Sequence, residues 1–142
     1  MIVLDTNVIS ELTRLVPNPG IITWVDSLPA EETAITAITA AELRYEVDRM
    51  PDGHRKNELS EAVHAIINTD FRGRVEPFDV LAADQYAAVV TARERADRPI
   101  STSDAQIAAI CRVLTATLAT RNIPDFTDTG VNPIDPWKPA NS

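Results

Sequence analysis

Apolar positions recur along this chain in two rhythms, and their alternation predicts its elements. Ile2, Val3 and Leu4 form a short continuous apolar run of the kind a buried strand needs, which then breaks into Asp5, Thr6 and Asn7. A helix is expected from Asn7 to Arg14, ending before Pro17, whose ring and missing N–H stop it. After Gly20, Ile21, Ile22, Val25 and Leu28 keep helical spacing until Pro29. The stretch "ETAIT" at 32–36 is β-rich and runs into "TAAELRYEVDRM", where Leu43, Val47 and Met50 share one helical face. Pro51, Asp52 and Gly53 make a turn. Leu59, Val63 and Ile66 or Ile67 then mark an amphipathic helix over 54–69.

"RVEPFD" at 74–79 is a strand that Pro77 confines to a sheet edge. Residues 80–96 and 103–113 read as helices, and "LTATLAT" at 114–120 reads as a strand. The segment from about 130 to 142 carries Pro133, Pro136 and Pro139 and is expected to be an extended tail anchored by Trp137. Strands alternating with helices imply a parallel sheet covered on both faces, an α/β sandwich spanning residues 1–142 as one domain. In such sheets function gathers beyond the carboxyl ends of the strands.

Composition narrows the picture without changing it. Hydrophobic residues are 44% of the chain and aromatics only 5%, so the core must be aliphatic. The longest apolar stretch, 105–119, is interrupted by Gln106 and Arg112 well short of the roughly 20 residues that span a bilayer. The chain opens in a strand with no apolar leader, and its lone Cys111 has no internal partner, so a cytoplasmic address is expected. A net charge of -8 weighs against holding nucleic acid by charge alone, though several arginines could line a local rim. An acidic whole suits cations or a basic partner.

Chemistry enters with four acids, Asp5, Glu42, Asp104 and Asp125, each placed where a strand ends or a helix begins. Every one has a plainer use. Asp5 could close an Asx-turn or cap the first helix, and Thr39 with Glu42 spells a capping box. Ser103 with Gln106 spells another, leaving Asp104 in a first turn where the helix dipole favours an acid. Asp125, after Pro124, could be a turn residue. Taken together they are harder to dismiss, because carboxylates converging on one sheet edge repel by ~1 kcal/mol per pair at 4 Å in water and by more when partly buried. A cation offsets that repulsion, and oxygen donors without His or Cys select Mg²⁺ or Mn²⁺ over zinc. Such an ion lowers the pKa of a coordinated water and clamps phosphodiester oxygens.

Competing chemistries fail on particular residues. The glycines at 20, 53, 73 and 130 build neither a dinucleotide fingerprint nor a phosphate loop. An aspartyl nucleophile of the phosphatase type would want a second Asp where Asn7 stands. His54 and His64 share one amphipathic helix and read as solvated residues, and Ser101 and Ser103 have no nearby His for a triad.

"MIVLDTNVISEL", "AITAAELRYEV", "PISTSDAQIAAI" and "LATRNIPDF" occur in this order and at fitting distances. Together with the closing "GVNPIDPW" they resemble the PIN-domain ribonucleases, and among them the VapC or FitB-like toxins of toxin–antitoxin pairs. The resemblance covers essentially the whole chain. It implies a three-layer α/β/α sandwich around a parallel sheet, and an Mg²⁺- or Mn²⁺-dependent endoribonuclease whose clustered acids map onto Asp5, Glu42, Asp104 and Asp125. Thr6, Asn7 and Thr102 fall where similar proteins orient the acids or the water they serve. Asn122 would position the loop before the last acid. Arg121 would touch phosphate or make a structural salt bridge, and Arg44 would face away from the site toward surface or partner.

The resemblance also implies a cognate antitoxin whose basic C-terminal segment wraps the toxin, an RNA substrate, and a homodimer, for which the helical surfaces near 21–28 and 38–50 are candidates; the acidic charge adds that the RNA would be a structured one whose exposed loops fit a local basic rim. Two other readings stay open. One is an inert PIN-like module that acts through protein contacts, and the other is a nuclease directed at DNA.

Overall fold

A computed structural model describes residues 1–138, and the expected end of the tail, including Pro139, lies outside them. Five strands form one parallel sheet: β1 (Ile2–Leu4), β2 (Thr33–Thr36), β3 (Val75–Glu76), β4 (Thr117–Ala119) and β5 (Asn132–Ile134), in the order β3-β2-β1-β4-β5. β1 is central, pairing Val3 with Ala34 of β2 on one side and with Leu118 of β4 on the other. The helices are α1 (Thr6–Leu12), α2 (Pro19–Asp26), α3 (Ala37–Asp48), α4 (His54–Ala65), α5 (Val80–Arg95) and α6 (Thr102–Leu114).

Successive residues of a strand point to opposite faces, and that period divides the core in two. Val3, Ala34 and Leu118 face one way, against Val89 of α5, Ala105, Ile107, Ala108 and Cys111 of α6, and Phe126. Leu4, Ile35 and Ala119 face the other, against Val8 and Ile9 of α1, Ile21 of α2, Leu43 and Val47 of α3, and Val63 of α4. This is the expected three-layer α/β/α sandwich. Burial on both faces explains why β1 reads as an unbroken apolar run.

Several boundaries differ from the sequence reading for identifiable reasons. α2 starts before Gly20 because Asn18 accepts hydrogen bonds from the Gly20 (2.8 Å) and Ile21 amides, with Pro19 preset for the first helical position. The helix expected to run to 69 yields at Ile66 to a π turn over Ile66–Asp70, closed by the Phe71 N–H to the Ile66 carbonyl at 2.9 Å. The wider turn drops Phe71 into the core and lets Arg74 donate to the Thr33 carbonyl at 3.0 Å, tying this end to β2. Leu114 is helical rather than extended, and Thr115 ends α6 in the left-handed region (φ 51°).

The Pro-rich segment is more than a tail, since Asn132–Ile134 pairs in parallel with β4. Pro133 is tolerated there because β5 is an edge strand with one side free of ladder bonds. Trp137 anchors the chain beyond β5, packing against the core layer that holds Leu4 and Ala119.

Candidate active site at the carboxyl edge of the sheet

The strand order reverses at β1, whose chain neighbours leave toward β2 on one side while β4 lies on the other. Parallel sheets open a crevice at such a point. Asp5 stands in it, one residue beyond β1, with its N–H donating to the Ala119 carbonyl at 2.9 Å. Its Oδ1 accepts the Thr6 amide at 2.8 Å, so Asp5 is the N-cap of α1. Its Oδ2 accepts the Thr120 hydroxyl at 2.7 Å and the Asn7 side-chain amide at 3.3 Å. Capping the helix and lining the crevice are therefore not alternatives, because Asp5 caps α1 through Oδ1 and still lines the crevice. The side chain is 4% exposed, and burial raises its pKa. Hydrogen bonds from Thr120 and Thr6 pull it back, and the charge of Glu42 pushes it up again.

Glu42 does not close a capping box. The N-cap of α3 is Thr36, whose hydroxyl accepts the Thr39 amide at 3.0 Å, which places Thr39 inside the helix and fully buried. Glu42 is thereby one turn in, and its Oε1 accepts the Thr6 hydroxyl at 2.8 Å, with Thr6 also 2.9 Å from the Thr39 hydroxyl. Thr6 thus joins the first acid's helix to the second acid. Partial burial raises the pKa of Glu42, the Thr6 bond lowers it, and the charges of Asp104 and Glu46 raise it.

The second expected box also shifts. Ser101, not Ser103, caps α6 by accepting the Asp104 amide at 3.2 Å. Asp104 then lies in the first turn facing the other acids, its pKa raised by partial burial, lowered by Ser101, and raised by the charges of Asp5 and Asp125. Arg93 exerts an opposing pull. Thr102, expected to orient the acids, opens α6 as an exposed residue, and the hydroxyl that bonds to this acid's turn is that of Ser101.

Asp125 occupies a 3₁₀ turn over Ile123–Phe126 and is exposed. It lies near enough for its charge to act on Asp104, but outside the cleft that collects the other three acids. That cleft, about 300 Å³, is lined by Asp5, Glu42 and Asp104 together with Thr6, Asn7, Ser10, Glu46 and Asn122. The Asn122 amide is held by the Thr120 hydroxyl at 3.1 Å, and the Arg121 amide by Asn7 Oδ1 at 3.1 Å. The Arg121 guanidinium lies over the Trp137 ring, 5.0 Å from its centroid, where a cation–π contact holds it. Arg44 is exposed and faces a separate hollow beside α4.

Three residues of the site escape the sequence reading: Ser10 and Glu46, which line the cleft, and the fully buried Thr120, which donates to Asp5. Thr120 follows β4 as Asp5 follows β1, in a register that pairs Leu4 with Ala119, so its position past a central strand was the available signal. Glu46 repeats the acid of Glu42 one helical turn later and accepts the Ser10 hydroxyl at 3.4 Å.

The donor set fits a hard divalent cation. Only oxygen ligands line the cleft, and three carboxyls there are each held above their ordinary pKa by burial and by one another's charge. Among the described residues no three acidic, His or Cys side chains gather tightly enough to enclose an ion by themselves. That spacing suits an ion that keeps several of its waters, as Mg²⁺ does, rather than an all-protein cage.

The model of the PIN domain matches residues 2–130, and this chain belongs to that family. Within it the chain is similar to toxins. It is 36% identical over 140 residues to the VapC ribonuclease Y4jK of Sinorhizobium fredii, covering 99% of this chain and 100% of that one. It is 39% identical over 137 residues to toxin FitB of Neisseria gonorrhoeae, covering 96% of this chain and 99% of that one. The crystal structure of FitAcB from Neisseria gonorrhoeae superposes with a TM-score of 0.92 at 39% identity, covering 98% of this chain and 100% of that one.

Proposed function

We propose that this chain is a metal-dependent endoribonuclease acting as the toxin of a toxin–antitoxin pair. The observation that carries the reading is the convergence of Asp5, Glu42 and Asp104, from three separate parts of the chain, on one cleft at the switch point of the sheet. Similarity to a VapC ribonuclease and to toxin FitB supports the choice of RNA as substrate and of toxicity as role.

Asp5, Glu42 and Asp104 would hold Mg²⁺ or Mn²⁺, with Asp125 at the rim. When bound, the ion supplies charge stabilisation to phosphodiester oxygens and acidifies water. The chain's own part is orientation. Thr120 and the Thr6 amide fix the Asp5 carboxylate, the Thr6 hydroxyl fixes Glu42, and Ser101 fixes the turn that presents Asp104. Asn122, at the mouth of the cleft, is placed to donate to a phosphate oxygen. Arg121, stacked on Trp137, contributes charge near the RNA path rather than a direct ligand.

The partner is proposed to be an antitoxin with a basic C-terminal segment, whose cations complement a cleft that collects four carboxylates in a chain of net charge -8. A homodimer is proposed as well. α2 commits Ile21, Trp24 and Val25 to the core, whereas Tyr45 of α3 is 64% exposed and Val80 and Leu81 of α5 are 78% and 62% exposed. α3 with the start of α5 is therefore the better dimer surface. No helix of the described residues is long and apolar enough to cross a membrane. A cytoplasmic address is proposed from the role, since cellular RNA is the substrate.

The test is digestion of total cellular RNA by the purified chain with Mg²⁺ and with EDTA, repeated on DNA. Discrete EDTA-sensitive RNA fragments are expected, reduced at least about 100-fold in rate in Asp5→Asn and Asp104→Asn, which remove charge but keep shape. Cleavage of DNA alone would redirect the substrate. Equal activity in these variants, or none in the parent chain over a range of metals and RNAs, would sink the enzyme reading in favour of an inert protein-binding module.

A further inference from the structure

Arg93, near the end of α5, is a charged side chain that the chemistry above does not use, yet it is only 5% exposed. Its donors are spent on main-chain carbonyls of two different loops. Nε donates to the Arg98 carbonyl at 2.6 Å, in the loop that leads to Ser101 and α6. Nη1 donates to the Asp125 carbonyl at 2.6 Å and to the Thr127 carbonyl at 3.0 Å, in the turn that carries Asp125. Arg98 adds a second tie between the same loops through the Thr127 hydroxyl at 2.9 Å.

We propose that Arg93 is a positioning residue of the metal site, clamping the loop that delivers Asp104 to the turn that delivers Asp125. This rests on the metal-dependent reading above and extends it to a residue outside the acid cluster. A planar guanidinium with donors in fixed directions can bridge two strands of backbone at once, which an ammonium on a flexible stem cannot. Threonine hydroxyls hold the carbonyls on either side of Asp125, Thr127 that of Pro124 at 3.1 Å and Thr129 that of Phe126 at 2.6 Å, and the carbonyl of Asp125 itself is held by Arg93. The turn of Asp125 is a single 3₁₀ turn whose N-terminal residue Asn122 provides no side-chain cap, anchored inward by Phe126. An exposed carboxylate on such a turn is useful to an ion only if its main chain is held, and the Arg93 bond is made to the carbonyl of Asp125 itself. The cost of burying a guanidinium is offset because its donors meet carbonyls, and none of its buried nitrogens is left without a partner.

The test uses the full chain in four forms: parent, Arg93→Gln, Asp125→Asn and the double variant, with Arg93→Lys as a milder substitution that keeps the charge should Arg93→Gln fail to fold. Mn²⁺ affinity is measured by calorimetry, and hydrogen exchange by mass spectrometry is followed over 122–127 and over α6. Arg93→Gln is expected to weaken Mn²⁺ binding about tenfold, as loss of a residue that orients ligands typically does. It is expected to speed exchange over 122–127 while α6 is unchanged, and to have less than about a twofold effect in the Asp125→Asn background, since coupled residues are not additive. Arg93→Lys should fall between parent and Arg93→Gln. Unchanged Mn²⁺ affinity in both Arg93 variants, or an equal loss with and without Asp125, overturns the proposal while leaving the nuclease reading intact. A parent chain that takes up no Mn²⁺ overturns the metal-dependent reading first and this inference with it.

Discussion

At the scale of residues, the site is built from groups that do two jobs. Asp5 caps a helix through one oxygen and still lines the cleft, and Thr6 lends its amide to Asp5 and its hydroxyl to Glu42. The acids are held at a cost, because Asp104 is raised above its ordinary pKa by burial and by the charges of Asp5 and Asp125. A carboxyl with a raised folded pKa is better protonated in the native state than in the unfolded one. Its stability contribution is complete below the unfolded value and is lost as pH rises through the folded one. Asp104→Asn, neutral throughout, should therefore unfold at a higher temperature than the parent in EDTA at pH 7, with the gap closing as pH falls toward about 4. The direction is checked by thermal denaturation across that range. A variant no more stable than the parent at pH 7 would mean that repulsion in the cleft is already relieved by other means.

At the scale of elements, caps decided which side chains reach the cleft. Thr39 before α3 and Ser103 before α6 each spell a capping box in the sequence, but a local pattern alone does not establish that it is used. The structure caps α3 with Thr36 and α6 with Ser101 instead. The choice matters because it moves Glu42 and Asp104 from helix-terminal duties to a point from which they face Asp5. Elsewhere an element end is strained. Thr115 terminates α6 at φ 51°, a region that costs a residue with a branched Cβ and that glycine enters freely. Thr115 is exposed, so Thr115→Gly should raise stability by about 0.5–1 kcal/mol, readable as a higher urea midpoint with an unchanged slope. A lower midpoint would show that the threonine side chain contributes more than its backbone strain costs.

At the scale of the molecule, three elements far apart in sequence are brought together with like charges at their meeting point. Ligand binding to the native state alone stabilises it by RT ln(1 + L/Kd), where L is the free ligand concentration, about 2.7 kcal/mol at a concentration one hundred times Kd. Mg²⁺ or Mn²⁺ should thus raise the unfolding temperature of the parent chain and shift Asp5→Asn and Asp104→Asn much less, as measured by differential scanning fluorimetry against Ca²⁺-free and EDTA controls. Equal shifts in parent and variants would place the ion elsewhere on an acidic surface. The acidic whole also leaves little nonspecific hold on RNA, so recognition falls to the cleft and its rim.

The sequence by itself determined the layer architecture, because apolar runs alternating with amphipathic helices leave a two-faced parallel sheet as the arrangement that buries both. It also singled out Asp5, Glu42, Asp104 and Asp125 as candidate acids, though it set Glu42 at a helix end and the structure sets it inside α3. Only the tertiary structure decided that Asp5, Glu42 and Asp104 share a cleft while Asp125 stands at its edge, that Thr120 and Glu46 belong with them, and that the Pro-rich end forms β5. Those outcomes depend on register between β1 and β4, on which cap wins, and on a buried arginine joining two loops. The strand register and the Arg93 bond to the Asp125 turn join residues far apart in the chain, and the choice of cap follows from how each helix packs, so no local pattern of polar and apolar positions encodes them.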